Sequence, residues 1–462
     1  MEPFDIAFLG GGPAGYQGAI RAAQLGARVA VAEAQFVGGV CLNWGCIPTK
    51  TVRASAEAAR ALRRASEFGL GQAVASPDIG AIIARKDRVV TGLRASVERL
   101  FQAHKIALFR GFGRLAGPHS LEIESDGETT VVEASKIVVA TGCSPASLDV
   151  IPPGPRVFLA DDALTMPYMP KRLLVIGGGV VGVEMAAIFR ELGAEVVIVE
   201  ALERILYDSD AEMASALARI LQRRKIKILC GVRVTQATES AEGLTVKLSN
   251  DAEVNSDAVI VAVGRRYNTA GIGLKKLGIQ LDNGKVVVDQ HLRTSDSSIY
   301  AAGDVIGGWL LAHVAFAEGI CAAEHALGRD TRMDYRVVPR CVFTIPEYAS
   351  VGLCEEEAAS ERAIKVARVP FKSLGMGQAM GEVEGLVKLI ADARTDQILG
   401  CHVIGPHGAD LIAEVAVCMK GNLPSKAIMD TIHTHPTLSE AMLEVAQALH
   451  GQAIHAAPKG VQ

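Results

Sequence analysis

Two stretches of the chain share one pattern of apolar and polar positions. Residues 5–33 read DIAFLGGGPAGYQGAIRAAQLGARVAVAE, and residues 172–200 read RLLVIGGGVVGVEMAAIFRELGAEVVIVE. Each begins with a short apolar run and passes through Gly-x-Gly-x-x-Gly. An Ala-rich amphipathic stretch leads to Leu-Gly-Ala, and a second apolar run ends in Glu. The pattern predicts strand, tight turn, helix, turn and strand in each copy. Gly10, Gly12, Gly15 and Glu33 recur as Gly177, Gly179, Gly182 and Glu200, at a constant offset of 167. Two further apolar runs, 137–142 and 259–264, end in small residues, and the run 299–305 places Asp304 just past its strand. A helix is expected from about Leu311-Ala312-His313. Beyond about residue 337 the pattern changes. There 341–348 and 387–400 read as strands of a mixed sheet, 409–420 and 438–449 as amphipathic helices, and no glycine fingerprint appears.

Composition narrows the class. The 462 residues are 49% apolar and 21% charged, the balance of a folded chain with roughly two to four domains. The 47 glycines exceed an ordinary share of about 7% and point to tight turns and close backbone approach to ligands. A formal net charge of −4 and 5% aromatic residues argue against nucleic-acid binding, which needs basic stripes and stacking platforms. No run of roughly 18 uncharged apolar residues predicts a membrane span. Met1-Glu2-Pro3-Phe4-Asp5 lacks the basic region of a secretory signal and carries no Arg-rich transit segment. The expectation is a cytoplasmic protein, although a processed organellar chain would read the same. Nine cysteines, odd in number and mostly scattered, do not suggest a secreted disulfide framework.

The repeated unit predicts dinucleotide binding. A lone Gly-x-Gly-x-x-Gly is weak evidence, but each copy has flanking strands and an acid 18 residues after its last glycine. The first glycine permits the turn, the second admits the pyrophosphate, and the third lets helix pack on sheet. The pyrophosphate then meets a helix N-terminus. Glu33 and Glu200 would hydrogen-bond a ribose 2′-OH and repel a 2′-phosphate, so NAD(H) is favoured over NADP(H). Only Arg204 follows Glu200 closely enough to serve a phosphate. Asp304 suits a ribose or ribityl hydroxyl, or else caps a helix. The helix after it would offer N–H groups to an electron-rich ring edge.

The exceptional cysteines are Cys41 and Cys46, in Cys41-Leu42-Asn43-Trp44-Gly45-Cys46. Four intervening residues let two sulfurs meet. Pro48 and the Ala-rich run after Val52 put Cys46 at a helix N-terminus, where the dipole lowers a thiol pKa. A redox-active pair is the favoured reading. Zinc would need a second Cys/His pair at matching spacing, and two inert thiols are the bland alternative. His435-Pro436-Thr437-Leu438-Ser439-Glu440 supplies a base: Pro436 fixes a turn, and Glu440 falls in the next helical turn. A carboxylate-held histidine has a defined tautomer and a raised pKa, as thiol deprotonation requires. His433 reads as a solvated or structural neighbour.

On these residues the chain resembles the class I flavin-dependent pyridine nucleotide–disulfide oxidoreductases, and among them the lipoamide dehydrogenase group. GGVCLNWGCIPTK (38–50) is similar to the family's active-site motif, and HPTLSE (435–440) to the form of that group. The likeness runs from Asp5 to about His455. The resemblance implies FAD in the first fingerprint, contacted by Gly10, Gly12, Gly15, Glu33, Lys50, Gly113, Thr141, Gly142 and Asp304. The stretch Leu310, Leu311, Ala312 and His313 joins them. It implies NAD in the second, contacted by Gly177, Gly179, Gly182, Glu184, Glu200, Val234 and Gly264. It makes Cys46 the sulfur against the flavin and Cys41 the interchange sulfur. Lys50 and Glu184 become an ion pair beside the flavin, and His435 with Glu440 serves the other subunit of a homodimer. The implied activity is oxidation of dihydrolipoamide through a Cys41–Cys46 disulfide and FAD to NAD+. The implied partner is a lipoylated carrier, or the acyltransferase core of a 2-oxoacid dehydrogenase or glycine cleavage system. No metal, nucleic acid or membrane is called for.

The expected fold is α/β, with two Rossmann-like dinucleotide-binding domains and a C-terminal α+β dimerisation domain. The expected bounds are 1–145 for the FAD domain, 146–270 for the NAD domain, 271–336 for a return to the FAD domain and 337–462 for dimerisation. The sequence departs from the group at Val314, where lysine is common, and at Tyr267, where proline is usual. Cysteines 143, 230, 321, 341, 354, 401 and 418 read as packing residues. Gly375-Met376-Gly377 reads as a solvated turn, and 60–64 and 223–227 as solvated basic helix faces. Two competing functions are a relative acting on another disulfide or a metal, and a scaffold component of a lipoyl complex. Leu438, Glu200 and a tail without a cysteine pair weigh against the first, and the complete Cys–Cys and His–Glu set against the second.

Overall fold

The structure is a computed structural model describing residues 3–71 and 74–456; the outermost residues of the first and last expected domains lie outside the described residues. The first repeat forms β1 (Phe4–Leu9), α1 (Pro13–Gln24) and β2 (Val29–Glu33). After it come α2 (Gly39–Asn43), α3 (Cys46–Arg63) and the long α4 (Ile79–Ala103). Strands β3 (Ala107–Arg110), β4 (Phe112–Gly117), β5 (Ser120–Ser125) and β6 (Glu128–Val139) complete a sheet of order β3-β2-β1-β6-β5-β4. Strand β6 does two jobs. Its first half pairs antiparallel with β5, and its second half pairs parallel with β1, Leu9 opposite Val139. The parallel strands are buried on both faces, hence their unbroken apolar runs.

The second repeat gives a separate parallel sheet. After β7 (Cys143–Pro145) and β8 (Val157–Leu159) come β9 (Arg172–Ile176), α5 (Val180–Glu191) and β10 (Glu195–Val199). Helix α6 (Ala211–Arg223) and β11 (Ile226–Leu229) follow. A three-stranded antiparallel meander, β12 (Val234–Ser240), β13 (Gly243–Leu248) and β14 (Glu253–Ser256), leads into β15 (Ala258–Val261). The sheet order is β11-β10-β9-β15-β8, all parallel. Strand β16 (Arg265–Tyr267) pairs back onto β7 and so ties the two units together. After the short hairpin of β17 (Leu281–Asp282) and β18 (Lys285–Val286), β19 (Ile299–Ala301) returns to the first sheet beside β6. Helix α7 (Ala312–Ala326) then packs on α1. Their approach is so close that a Cβ on Gly319 would lie 2.0 Å from the Ala14 carbonyl oxygen.

The C-terminal region differs from its expected topology. Its strands are β20 (Arg340–Val342), β21 (Glu347–Gly352), β22 (Ile364–Pro370), β23 (Leu386–Asp392) and β24 (Ile398–Gly405). The order is β20-β21-β24-β23-β22, and every pair is antiparallel, so the sheet is not mixed. Each of the two long apolar runs folds back on itself. The run 341–348 breaks at the cis Ile345–Pro346 bond. The run 387–400 turns where the Asp392 carboxylate accepts from the N–H groups of Arg394 and Thr395. Helices α8 (Glu355–Glu361), α9 (Gly375–Ala379), α10 (Gly408–Lys420), α11 (Ser425–Met429) and α12 (Glu440–Leu449) complete the unit. Gly375-Met376-Gly377 opens α9 and is no solvated turn. Gly377 is buried, and a Cβ there would lie 2.7 Å from the Phe371 carbonyl oxygen.

The basic stretches are solvated only in part: Arg63, Arg223, Lys225 and Lys227 are exposed, while Arg60, Arg64 and Arg224 are half-buried in ion pairs. Arg60 of α3 and Arg64 just past its end share the Glu382 carboxylate, and Arg63 binds Glu191 of α5. Arg224 reaches both Glu191 and Glu384, and Arg223 also reaches Glu384. A basic run can be recognised from sequence, but its acids come from two other units. A second knot joins β23 to α6, where buried Lys388 donates to both oxygens of buried Asp210 at 3.0 and 2.8 Å.

Candidate active site

The two glycine turns are near-copies in space. Gly10 (φ +110°) and Gly177 (φ +108°) take a backbone conformation that favours glycine. A Cβ on Gly15 or Gly182 would lie 1.9 Å from the carbonyl oxygen of the first glycine, so helix and strand close tightly there. The middle glycines are open: a Cβ on Gly179 meets nothing within 4 Å, and on Gly12 only Gly39 Cα at 3.7 Å. The Glu33 carboxylate accepts from Gly11 N and Gln35 N, both at 2.8 Å. The Glu200 carboxylate accepts from Gly178 N at 2.5 Å and Leu202 N at 2.7 Å. Each acid thus stands at the turn's rim, fixed by the backbone of its own fingerprint. Arg204 points elsewhere, donating to the Tyr207 carbonyl oxygen with its guanidinium 4.5 Å from the Tyr207 ring.

Cys41 lies on α2, and Cys46 opens α3. Gly38 and Gly39 turn the chain through positive φ just ahead of them. The two thiols are partly buried and influence each other's ionisation in opposite directions. Cys41 lowers the Cys46 pKa to about 7 against the opposing effect of burial, with Lys50 assisting; Cys46 and burial push Cys41 up. The helix N-terminus favours the charge on Cys46. One turn further on, Lys50 Nζ donates to both Glu184 oxygens at 3.2 and 3.0 Å. Glu184 is buried on α5 and also accepts from Phe343 N at 2.8 Å, while Lys50 Nζ sits 4.0 Å from the Phe343 ring centroid. Elements of all three units therefore converge behind the cysteines. Phe343 went unnoticed in the sequence, because an aromatic at the end of a strand carries no local sign of a distant lysine.

Asp304 follows β19 as expected and begins a short 3-10 turn. It accepts from the Cys143 thiol at 2.7 Å, and Arg265 Nε donates to the same sulfur at 2.8 Å. Arg265 also pairs with Asp161 at 2.9 Å. Cys143 is thus part of a polar network and not a plain packing residue; burial beside Asp304 pushes its thiol up to about 12. Glu318 on α7 holds the Gly303–Asp304 turn from below, accepting from Gly303 N and Tyr335 Oη, each at 2.8 Å. Burial raises its carboxyl to about 7. Leu310 (φ +51°) and Leu311 lead into α7, which starts at Ala312, and His313 Nε2 meets the Pro339 carbonyl oxygen at 2.8 Å. Val314 is buried on that helix, and Tyr267 reaches toward Gly307.

The remaining expected contacts are placed as follows. Thr141 Oγ1 donates to the Asn268 carbonyl oxygen at 2.8 Å, and Gly142 (φ +69°) has open space beside it. So does Gly264 (φ +124°). Gly113 is buried in β4, where a Cβ would lie 2.5 Å from Leu9 Cδ1, so packing alone accounts for a glycine there. Val234 opens β12 and is half-buried among apolar neighbours. Asp210, Cys354 and His402 bring donor atoms within 4.8 Å of one another. Lys388 takes the Asp210 carboxylate, and the His402 ring faces Tyr348 Oη and the Leu353 carbonyl oxygen, which makes a packed polar knot.

Among the described residues no hydrogen bond or ion pair joins His435 to either redox cysteine. His435 Nδ1 meets Glu440 Oε1 at 2.8 Å, yet the histidine side chain is 76% exposed. Burial pushes the Glu440 carboxyl up, and the hydrogen bonds from His435 and Thr437 N more than reverse this. His433 is structural: its side chain is 5% exposed and meets Glu414 at 3.0 Å. On the same unit Val417, Leu423 and Ile432 are exposed, Ile432 almost fully.

The family model for pyridine nucleotide-disulphide oxidoreductases matches residues 4–319, and the model for that family's dimerisation domain matches 338–446. The chain belongs to this family. It is 38% identical to the dihydrolipoyl dehydrogenase of Bacillus subtilis, over 98% of this chain and 99% of that one. It is 42% identical to that of Thermus scotoductus, with the same coverage. LpdA from Mycobacterium tuberculosis superposes with a TM-score of 0.91 at 30% identity, covering 96% of this chain and 99% of the other. The HOCl-induced flavoprotein disulfide reductase RclA from Escherichia coli, as its Cu(II) complex, gives 0.89 at 28% identity, covering 97% and 100%. A member of this family uses FAD and NAD. The turns fit such groups: both middle glycines leave space that a side chain would fill, each near a carboxylate at the turn's rim. The dimerisation domain supports a homodimer. Among the described residues, no helix is long and apolar enough to cross a membrane.

Proposed function

We propose that the protein is a cytoplasmic NAD-dependent dihydrolipoyl dehydrogenase. It oxidises dihydrolipoamide on a lipoylated carrier of a 2-oxoacid dehydrogenase or glycine cleavage system. The observation that carries the reading is the placement of Cys41 on α2 and Cys46 at the start of α3, one turn from the Lys50–Glu184 ion pair at 3.0 Å, a setting that lowers the Cys46 thiol pKa. The choice of dithiol rests on the dihydrolipoyl dehydrogenases that match the full chain.

In this reading FAD lies along Gly10, Gly12, Gly15, Glu33, Gly113, Thr141, Gly142, Asp304 and the start of α7, with Lys50 beside it. NAD lies along Gly177, Gly179, Gly182, Glu200, Val234 and Gly264, with Glu184 beside it. The expected bounds 1–145, 146–270, 271–336 and 337–462 serve as working divisions of the chain. When bound, FAD and NAD supply the transfer of two electrons, the second as hydride. The chain's own residues handle protons and sulfur. His435 of the partner subunit, oriented through Nδ1 by its Glu440, takes a proton from one substrate thiol at Nε2. The substrate thiolate attacks Cys41 of the Cys41–Cys46 disulfide. A substrate–Cys41 bond forms as the Cys41–Cys46 bond breaks, and Cys46 leaves as a thiolate. The second substrate thiol, deprotonated in turn, attacks its own mixed-disulfide sulfur and closes the lipoamide ring. Cys41 is released and takes up a proton. The substrate has lost two electrons and two protons, and the cysteine pair has gained the electrons. Lys50 offsets the charge left on Cys46.

The test is anaerobic turnover of dihydrolipoamide, with NAD+ and NADP+ compared side by side. Fast NAD+ reduction with little NADP+ activity is expected. A flavin-loaded protein that leaves dihydrolipoamide untouched would overturn the substrate and send the search to other disulfides.

A further inference from the structure

We propose that Arg94, on the long helix α4, is a positioning residue for the redox cysteines. The segment carrying Cys41 is short and turns on two glycines, so something must hold it in register against Cys46. Asn43, the last residue of α2, is buried, and its Nδ2 donates toward three carbonyl oxygens of that segment. These are Gly39 at 2.9 Å, Val37 at 3.1 Å and Phe36 at 3.4 Å. Such a clasp works only if the amide faces one way. Arg94 decides this by donating from Nε (3.0 Å) and Nη2 (2.8 Å) to the single acceptor Asn43 Oδ1. A flipped amide would set N–H groups against the guanidinium. The same guanidinium lies 3.5 Å from the Phe36 ring centroid, and Phe36 leans on Trp44, their centroids 6.3 Å apart. One side chain therefore grips both ends of the segment 36–44, its ring at the start and its amide near the end. Arg94 sits 51 residues beyond Asn43, and nothing near it in sequence marks the link.

Arg94 touches neither sulfur, so it acts through Asn43 and Phe36. Without it, Asn43 Oδ1 is left buried and unpaired, and the segment relaxes toward water. The Cys41 sulfur then loses its fixed approach to Cys46. The consequence falls on thiol–disulfide exchange and spares electron transfer that bypasses the cysteines.

The inference rests on the proposed dithiol chemistry, so its test includes a readout that does not. Arg94→Met and Arg94→Lys would be prepared as flavin-loaded protein. Three quantities would be measured: NADH-driven ferricyanide reduction, dihydrolipoamide turnover, and the iodoacetamide alkylation rate of each cysteine in the reduced protein. In Arg94→Met we expect unchanged ferricyanide reduction, a fall of about tenfold in kcat for dihydrolipoamide with KM little altered, and faster alkylation of Cys41. Arg94→Lys, which keeps a charged donor nitrogen but loses the planar fork, should recover part of both effects. Wild-type turnover and alkylation in Arg94→Met would overturn the proposal. So would joint loss of flavin and ferricyanide reduction, which would mark a general structural role. If the wild-type protein itself ignores dihydrolipoamide, the substrate reading fails, and the alkylation rates still decide the role of Arg94.

Discussion

The two glycine turns use the same local chemistry and differ in what lies over them. In both, the acid after the second strand accepts from the second residue of the fingerprint and from the residue two beyond itself. In the first copy the turn is roofed. Gly39, from the segment that carries Cys41, lies so close that a Cβ on it would sit 2.7 Å from Gly12 Cα, and α7 presses on Ala14 from another side. In the second copy the turn is open, with nothing within 4 Å of a Cβ on Gly179, and Val180 and Val181 partly exposed. The mould is repeated, and in both copies a segment crosses the turn, Gly38 N donating to the Gly11 carbonyl oxygen at 2.7 Å and Leu206 N to that of Gly178 at 2.8 Å, but only the first reaches over the middle glycine. A dinucleotide under a roof dissociates slowly, while one on an open turn exchanges with each catalytic cycle. The contrast suits the proposed placement of a resident flavin at the first turn and an exchanging nicotinamide nucleotide at the second. It also explains why the cysteines follow the first copy, since the roof is the segment that bears them.

The largest effect expected comes from breaking the chemistry of the roof without removing it. Cys46→Ser should keep FAD and NADH-driven ferricyanide reduction yet lose dihydrolipoamide turnover by about a thousandfold or more. Retained turnover would sink the role of Cys46. The wild-type pair carries a pH dependence as well. With Cys46 held to about 7 by Cys41 and Lys50, alkylation of Cys46 in the reduced protein should rise through that pH as the thiolate forms. Lys50→Met removes a charge that favours the thiolate and should move the rise to higher pH. A profile unmoved by Lys50→Met would mean that Cys41 and the helix start suffice.

Next in size is a matched pair that tests the contrast itself. Gly12→Ala and Gly179→Ala each fit the bare chain, because neither added Cβ meets an atom closer than 3.7 Å. Each fills the space a pyrophosphate needs. Gly12→Ala should therefore purify without flavin. Gly179→Ala should retain flavin and raise KM for NAD+ by about ten- to a hundredfold, the scale of one lost close contact. Flavin content by absorbance and steady-state kinetics decide between them. Equal flavin content in the two variants would remove the distinction between a roofed and an open turn.

Much of this was legible in the sequence, and the physical reason is locality. The fingerprints, the acids Glu33 and Glu200, the Cys46 helix start and the His435–Glu440 pair each lie within one supersecondary unit, where spacing fixes geometry. Lys50–Glu184 was reached only through family resemblance, since 134 residues separate its partners. What escaped depends on distant partners. Arg60 and Arg64 read as solvated because their acid, Glu382, lies in another unit. Cys143 looked like packing because Asp304 and Arg265 are 161 and 122 residues away. The C-terminal sheet was read as mixed because periodicity finds apolar runs and does not show where a proline or an aspartate turn reverses the chain.

The smallest effect concerns how the roof is anchored. Helix α3 carries Cys46 at one end and Arg60 near the other, with Arg64 capping it, so Glu382 of the C-terminal unit holds the far end of the redox helix. Both Arg60 and Glu382 are about four-fifths buried, and Arg60 binds the two carboxylate oxygens at 2.6 and 3.0 Å. Glu382→Gln keeps the shape and loses the charge, and should lower stability by about 1–2 kcal/mol at neutral pH, in the range of a charge-assisted hydrogen bond. Its pH dependence has a definite sign. Burial pushes the Glu382 carboxyl up, but Arg60 and Arg64 more than reverse this and hold it below its ordinary 4.5. A folded-state pKa lowered in this way contributes stability that is fully present above the unfolded value and is lost as pH falls through the folded one. Thermal unfolding of wild type and Glu382→Gln should thus differ at pH 7 and converge on acidification below the ordinary carboxylate range. A gap that persists in acid would assign the difference to packing around the amide. Unchanged flavin content and unchanged Cys46 alkylation in Glu382→Gln would show that the anchor stabilises the helix without tuning the sulfur at its other end.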